Sequence, residues 1–215
     1  MQLFDLSHTI CGGYIYSTEE SYKCIYDIKS IIERLLPTLG EDFYQIKQGV
    51  FVHKNAILSS SVKIDGLAII CKGAELRHGA YIRSNAVIGC DAVIGNSCEV
   101  KNSIIFDGAQ IPHFNYVGDS IVGFKAHLGA GVIISNLKSD KSNVNLMIDG
   151  VKFDSKMRKM GALIGDFAEI GCNSVLNPGT IIGKNTTVYP LSFIRGTVEE
   201  NSIYKNDGQI IKKKI

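Results

Sequence analysis

Residues 50–100 read VFVHKNAILSSSVKIDGLAIICKGAELRHGAYIRSNAVIGCDAVIGNSCEV. Counting by six from Val52 lands on Leu58, Ile64, Ile70, Leu76, Ile82, Ile88, Ile94 and Val100, all branched aliphatic. Two places before each stop stand Val50, Ala56, Val62, Ala68, Ala74, Ala80, Ala86, Ala92 and Cys98, nearly all small. A helix repeats at 3.6 residues and a strand at 2, so neither yields a strict six. A hexad of aliphatic and small residues predicts an all-β fold, a parallel β-helix. Each hexad is then one short strand plus a turn. Its aliphatic residue points into a prism, and its small residue lets the corner close.

The count returns at Ile164, Ile170, Leu176, Ile182, Val188 and Ile194, with Ala162, Ala168, Ser174, Thr180, Thr186 and Ser192 two places earlier. Between the blocks it is disturbed twice. Around 107–115, Pro112 and His113 interrupt it, and it resumes on Ile111, Val117, Val122, Leu128 and Ile134 with one five-residue step. Such a slip predicts that the chain leaves the prism there, and excursions from a solenoid are where function concentrates.

Residues 135–160 break the repeat altogether and are rich in cations: Lys138, Lys141, Lys152, Lys156, Arg158 and Lys159. Asp149-Gly150 between two apolar runs predicts a β-hairpin with a type I′ turn, projecting as an arm. Upstream, Ser17-Thr-Glu-Glu20 has the form of a capping box. Ile25, Ile28, Ile32 and Leu35 follow on one helical face, and Pro37 and Gly40 end it. This helix is expected to cap one end of the prism, where strand edges would otherwise be open. The organisation is thus an N-terminal extension with capping helix, 1–48, and a β-helix, 49–215, with its arm at 135–160.

The 215 residues carry 23 Lys and Arg against 21 Asp and Glu, a formal net charge of +2. No basic stripe argues for nucleic acid. No apolar run approaches a membrane span, and no signal-peptide pattern opens the sequence. The six cysteines form no CxxC pair, which points to reduced thiols and a cytoplasmic protein. No Gly-rich loop follows an N-terminal strand to cradle a nucleotide.

Three features could carry chemistry. His113 sits at the slip, and an imidazole titrates near neutral pH, as a general base requires. Arg83 and Lys101 are three hexads apart, so on an 18-residue coil they stack on one face and could grip a phosphate. Gly129-Ala130-Gly131 would keep the wall thin beside His127, and its backbone N–H groups could serve an oxyanion. No HxxxxH or HxH spacing exists, so no metal site is expected.

The run Arg83…Glu99-Val-Lys101…His113-Phe-Asn-Tyr116-Val-Gly-Asp119…Gly129-Ala-Gly131…Asn136 resembles the acetyltransferase domain of the bifunctional UDP-N-acetylglucosamine pyrophosphorylase/glucosamine-1-phosphate acetyltransferases. Arg158-Lys-Met-Gly-Ala-Leu-Ile-Gly-Asp166 is similar to the archaeal-type sugar-phosphate nucleotidylyltransferases that carry the same domain. The resemblance covers roughly 45–205. It implies a left-handed β-helix, a homotrimer with sites between subunits, and acetyl transfer from acetyl-CoA to glucosamine 1-phosphate. By matching position it implies His113 as base and Arg83, Lys101 and Tyr116 on the sugar phosphate. It implies Ala130, Asn136, Cys172 and Pro190 along acetyl-CoA, with the coenzyme phosphates toward the arm. His127 stands where the family has a sugar-contacting asparagine, and Leu137 where bacterial members have tyrosine. The pyrophosphorylase half has no counterpart in these residues, which leaves a separate nucleotidylyltransferase as a candidate partner. A non-catalytic binding or regulatory β-helix is the alternative reading, and a zinc-dependent γ-carbonic-anhydrase-like protein a third, disfavoured by the histidine spacing.

Overall fold

The computed structural model describes residues 2–15, 21–148 and 150–214. The hexads build a three-faced parallel β-solenoid. The first face stacks Val50–His53, Ala68–Ile70, the second half of Tyr81–Ile88, the second half of Glu99–Ile105, Ile121–Val122, Ala162–Ile164, Thr180–Ile182 and Thr197–Val198. The second face runs from Ile57–Leu58 through Glu75–Leu76, Val93–Asn96, Gln110–His113, His127–Leu128, Glu169–Ile170 and Thr187–Val188 to Ser202–Tyr204. The third holds Lys63–Asp65, the first halves of the two long strands, Tyr116–Gly118, Ile133–Ile134, Val175–Leu176 and Phe193–Ile194. The six-spaced aliphatics and the small residues beside them form one buried column inside the prism.

The register slips at the corner between the third and first faces, not at 107–115. Arg83 pairs with Lys101 and Ala86 with Ser103, so the two corner residues Ser84 and Asn85 stand against the single residue Asn102. Asp119 is again a single corner residue, between Gly118 and Ser120. Asn102 and Asp119 both take left-handed φ values, 46° and 49°, which Asn and Asp tolerate better than most side chains. Two five-residue steps result, Val100 to Ile105 and Val117 to Val122. Gln110–His113 stays in the stack, in register with Val93–Asn96, so His113 is not on an excursion.

Helix α1 (Lys23–Leu35) forms as expected and gives way to a 3₁₀ turn, Leu36–Thr38. The capping-box residues 17–20 lie outside the described residues. The helix does not cap an end. It lies along the flank of the first face, where the outward residues Ile69, Val87, Ile104, Ile121, Leu163 and Ile181 are all buried. Ile25, Ile28, Ile31 and Ile32 of α1 join that layer. A parallel sheet covered on both sides needs aliphatic residues at every position, and Ala68-Ile-Ile70 and Ala162-Leu-Ile164 have them. The ends are closed otherwise: Phe43–Lys47 pairs antiparallel with the first coil and Ile210–Lys212 antiparallel with the last.

The N-terminal segment is tied down through Asp166, which is 1% exposed. Its carboxylate accepts the N–H of Asp5 (2.7 Å) and of Phe124 (2.9 Å) and pairs with Lys184 at 3.1 Å. The His8 ring stacks on Phe124 at 3.6 Å. The arm is the expected hairpin, Asn145–Ile148 against Val151–Asp154. Asp149, named in the expected turn, lies outside the described residues. The arm does not stand free: Val144, Leu146 and Met157 are buried against the first face, while the outer strand Val151–Asp154 is exposed throughout.

Because α1 is held by this apolar layer, Ile28→Ala should lower unfolding free energy by about 2–5 kcal/mol, the usual range for emptying a buried aliphatic site. Urea denaturation followed by circular dichroism checks it.

Candidate active site

In-register pairing sets the columns. Arg83 stands directly beside Lys101 on the third face, and Tyr81, Glu99 and Tyr116 form the next column. Each cation has a carboxylate of its own. Arg83 Nη1 lies 2.8 Å from Glu99 Oε1, and Lys101 Nζ lies 3.0 Å from Asp119 Oδ2. The Lys101–Asp119 pair is the more enclosed, with side chains 17% and 6% exposed. Asn102 Nδ2 donates to Asp119 Oδ1 at 2.8 Å, and Asn136 Nδ2 also donates to this carboxylate. Asn136 donates to the Tyr116 hydroxyl as well, at 3.2 Å. Burial, with Asp119 and Glu99 adding to it, pushes the Tyr116 phenol above its usual range, so it is a neutral donor.

Gly118 is required for this packing. A Cβ there would come within 2.6 Å of the Tyr116 hydroxyl and 2.7 Å of Asn136 Nδ2. Arg83, Lys101, Tyr116 and Asn136 thus form one polar cluster around Asp119. Asn136 belongs to this cluster and not to the edge that carries Ala130.

His113 lies at the opposite edge of the third face, where it meets the second. Its backbone N–H donates to Asn115 Oδ1 (3.0 Å), while Asn115 Nδ2 donates to the Gly129 carbonyl (2.8 Å). The His113 carbonyl accepts from the Gly131 N–H at 3.0 Å. Buried Asn115 therefore rivets the His113 corner to the Gly129–Gly131 corner one coil on. Asn173 N–H donates to the Ala130 carbonyl, and Leu191 N–H to the Cys172 carbonyl. His113, Ala130, Cys172 and Pro190 consequently climb one edge, coil by coil.

The N–H groups of Gly129 and Gly131 are consumed within the stack, donating to Ile170 and His113. They cannot serve an oxyanion. The Ala130 N–H donates to no described residue. His127 faces outward on the second face, its Nδ1 2.9 Å from Glu169 Oε2. It is not on the face of Arg83, Lys101 and Tyr116.

The arm cations divide between two clefts. Lys138 and Lys152 share one of about 630 Å³ with Ser135, Asn177 and Arg195. Those last three residues follow directly on the strands Ile133–Ile134, Val175–Leu176 and Phe193–Ile194, which begin beside Ala130, Cys172 and Leu191. Lys141, Lys156, Arg158 and Lys159 line the other. Sequence reasoning overlooked Asp119 and Asn102. Their signal was present, because the five-residue steps from Val100 and from Val117 locate both corners.

The third face thus carries a columnar polar cluster, beside an edge that His113 and Ala130 share. Residues 64–157 match the family model described as GMPPB C-terminal domain, and residues 161–196 match the model for bacterial transferase hexapeptide (six repeats). The solenoid is therefore a left-handed β-helix of hexapeptide repeats. Over 119 residues the chain is 41% identical to the bifunctional protein GlmU of Methanococcus vannielii, covering 55% of this chain and 28% of that protein. Over 109 residues it is 38% identical to the bifunctional sugar-1-phosphate nucleotidylyltransferase/acetyltransferase of Sulfurisphaera tokodaii, covering 51% of this chain and 27% of that one. The match spans about a quarter of the length of these relatives. Among solved structures, a mutant of AntD, an N-acyltransferase from Bacillus cereus, in complex with dTDP-4-amino-4,6-dideoxyglucose and coenzyme A, aligns at TM-score 0.42 and 15% identity. That alignment covers 82% of this chain and 92% of that one, a likeness too loose to bear on function. No helix among the described residues is long and apolar enough to cross a membrane.

Removing the Asp119 carboxylate would leave Lys101 enclosed and unpaired. Asp119→Ala should cost about 3–5 kcal/mol, with Asp119→Asn less damaging because two of the donors keep an acceptor. Chemical denaturation of both variants at neutral pH checks the order.

Proposed function

We propose that the chain is an acetyl-CoA-dependent N-acetyltransferase acting on an amino-sugar phosphate, with glucosamine 1-phosphate as its acceptor. One observation supports this above the rest: Arg83, Lys101, Tyr116 and His113 fall on one face and its edge, with a small-residue ridge continuing from His113. The relatives named above supply the reaction class.

In this reading Arg83 and Lys101 hold the acceptor's phosphate, exchanging part of their pairing with Glu99 and Asp119 for it. Tyr116 and Asn136 donate to its oxygens. The acceptor's ammonium loses one proton to solvent, since a protonated amine has no lone pair to give, and His113 takes a second proton from the nitrogen as it attacks. The nitrogen bonds to the acyl carbon and the C–S bond breaks. The proton held by His113 leaves with the thiol. The Ala130 N–H is the free donor for the carbonyl oxygen.

The residues fit the coenzyme. Ala130, Cys172 and Pro190 offer a smooth edge for an extended pantetheine chain, and Lys138, Lys152 and Arg195 await phosphates across the third face. His113 and the Arg83–Lys101 column stand at opposite edges of the third face, and in this reading a second chain in a homotrimer completes the site. We place the protein in the cytoplasm, with a separate nucleotidylyltransferase consuming the product. Residues 1–48 form the extension and 49–215 the catalytic β-helix.

His113→Ala should lower kcat by about 10²-fold or more while KM changes little, because a base acts mainly in the transition state. Lys101→Ala should instead raise KM for the sugar phosphate. Release of free CoA measured across amino-sugar phosphates tests both. Full turnover in His113→Ala, with loss in His127→Ala, would make His127 the base. Light scattering should give the mass of a trimer, and a monomer at micromolar concentration would remove the shared site.

A further inference from the structure

Between the first turn of α1 and the base of the arm lies a cleft of about 660 Å³ that the proposed reaction does not use. Lys141, Lys156, Arg158 and Lys159 line it. Lys156 pairs with Asp154 at 3.1 Å. Arg158 spends only its Nε, on the Lys141 carbonyl at 3.1 Å. Lys141, Arg158 and Lys159 have no carboxylate partner among the described residues. Like charges gathered in one concavity repel, and an anion with several oxygens is what relieves them.

The carboxylate in the wall, Asp119, is already engaged by Lys101, Asn102 and Asn136, so it does not cancel these cations. The opposite wall supplies Tyr26 of α1, 80% exposed, whose ring covers none of the apolar layer that buries its neighbours Ile25 and Ile28. Three cations without a carboxylate partner, beside an open aromatic ring, suit a ligand with both phosphates and a planar base. The volume exceeds what a lone phosphate needs and lies within the range of small-molecule sites.

We propose that this cleft binds a nucleoside diphosphate, its phosphates held by Lys141, Lys156, Arg158 and Lys159 and its base laid on Tyr26. The site lies outside the ridge of Ala130, Cys172 and Pro190, and one wall comes from the N-terminal extension. Asp119 is common to this cleft and the acceptor cluster, so a ligand here adjoins the groups that orient Lys101.

The test is calorimetric titration of the full chain with UDP, GDP and ADP, and separately with inorganic pyrophosphate, each with and without saturating CoA. At least one nucleoside diphosphate should bind more tightly than pyrophosphate, and CoA should not displace it. Tyr26→Ala should weaken that nucleotide about tenfold, as loss of a stacking partner does, and leave pyrophosphate unchanged. Arg158→Glu should weaken both ligands tenfold or more. These side chains are exposed, so the variants keep the fold, which circular dichroism confirms. No binding of any nucleoside diphosphate at millimolar concentration overturns the proposal. So does a Tyr26→Ala variant that binds nucleotides as the parent does, which would mark an unspecific anion patch. Displacement by CoA would assign the cleft to the coenzyme instead. None of these readouts uses acetyl transfer, so the site stands or falls apart from the catalytic reading.

Discussion

Parallel pairing in a fixed register is the constraint from which the rest of the molecule follows. Once coils are 17 or 18 residues long, residues that far apart in sequence touch in space, whatever lies between them. The inward aliphatics then stack into a dry column, and each buried backbone group finds its partner on the coil above or below. Chemistry is arranged by the same rule. Arg83 meets Lys101 because their positions in successive coils coincide. His113, Ala130, Cys172 and Pro190 share an edge because each occupies the same corner of its own coil.

Within that scaffold the polar groups are hierarchical. Asp119 is enclosed and satisfied by three donors, so it works as a fixed anchor that aims Lys101 and Asn136. Glu99 is more open and holds Arg83 more loosely. Of the two cations, one is thus more open to exchange its carboxylate for another anion and one stays oriented. The short corners at Asn102 and Asp119 create this arrangement. They bring the polar side chains of one corner column together where a longer corner would splay them.

Much of this was legible in the hexads. The prism, both coil blocks and the pairing of Arg83 with Lys101 follow from counting, and the hairpin follows from the Asp-Gly pair between two apolar runs. The flank position of α1 was equally written in the chain but was missed, because attention to the inward residues ignored the middle ones. Ile69, Val87, Ile104, Ile121, Leu163 and Ile181 are aliphatic on six successive coils of one face, where the other faces carry Glu75, Gln110, Glu99 or Lys63. A face apolar on its outside must be covered. The position of the slip has a different reason: Pro112 and His113 look disruptive, yet Pro112 only gives up the one N–H bond that Arg77 and Gly129 make to the next coil at the same strand position, and the strand stays in the stack. The use of the Gly129 and Gly131 N–H groups within the stack depends on which backbone groups face which, and no residue type reveals that.

The arm has a consequence for how such a chain can change. Ile121 pairs with Leu163, His127 with Glu169 and Ile133 with Val175, each across the same 42 positions. The excursion therefore adds length to a single turn while shifting no column against another, like a page inserted between bound sheets. Cutting that interval back to the 18 of the next coil would leave the prism and the His113 edge in alignment. It would strip away the cationic clefts. Scaffold and cationic surface are thus separable inheritances in this fold, and the second can be rewritten at one junction without disturbing the first.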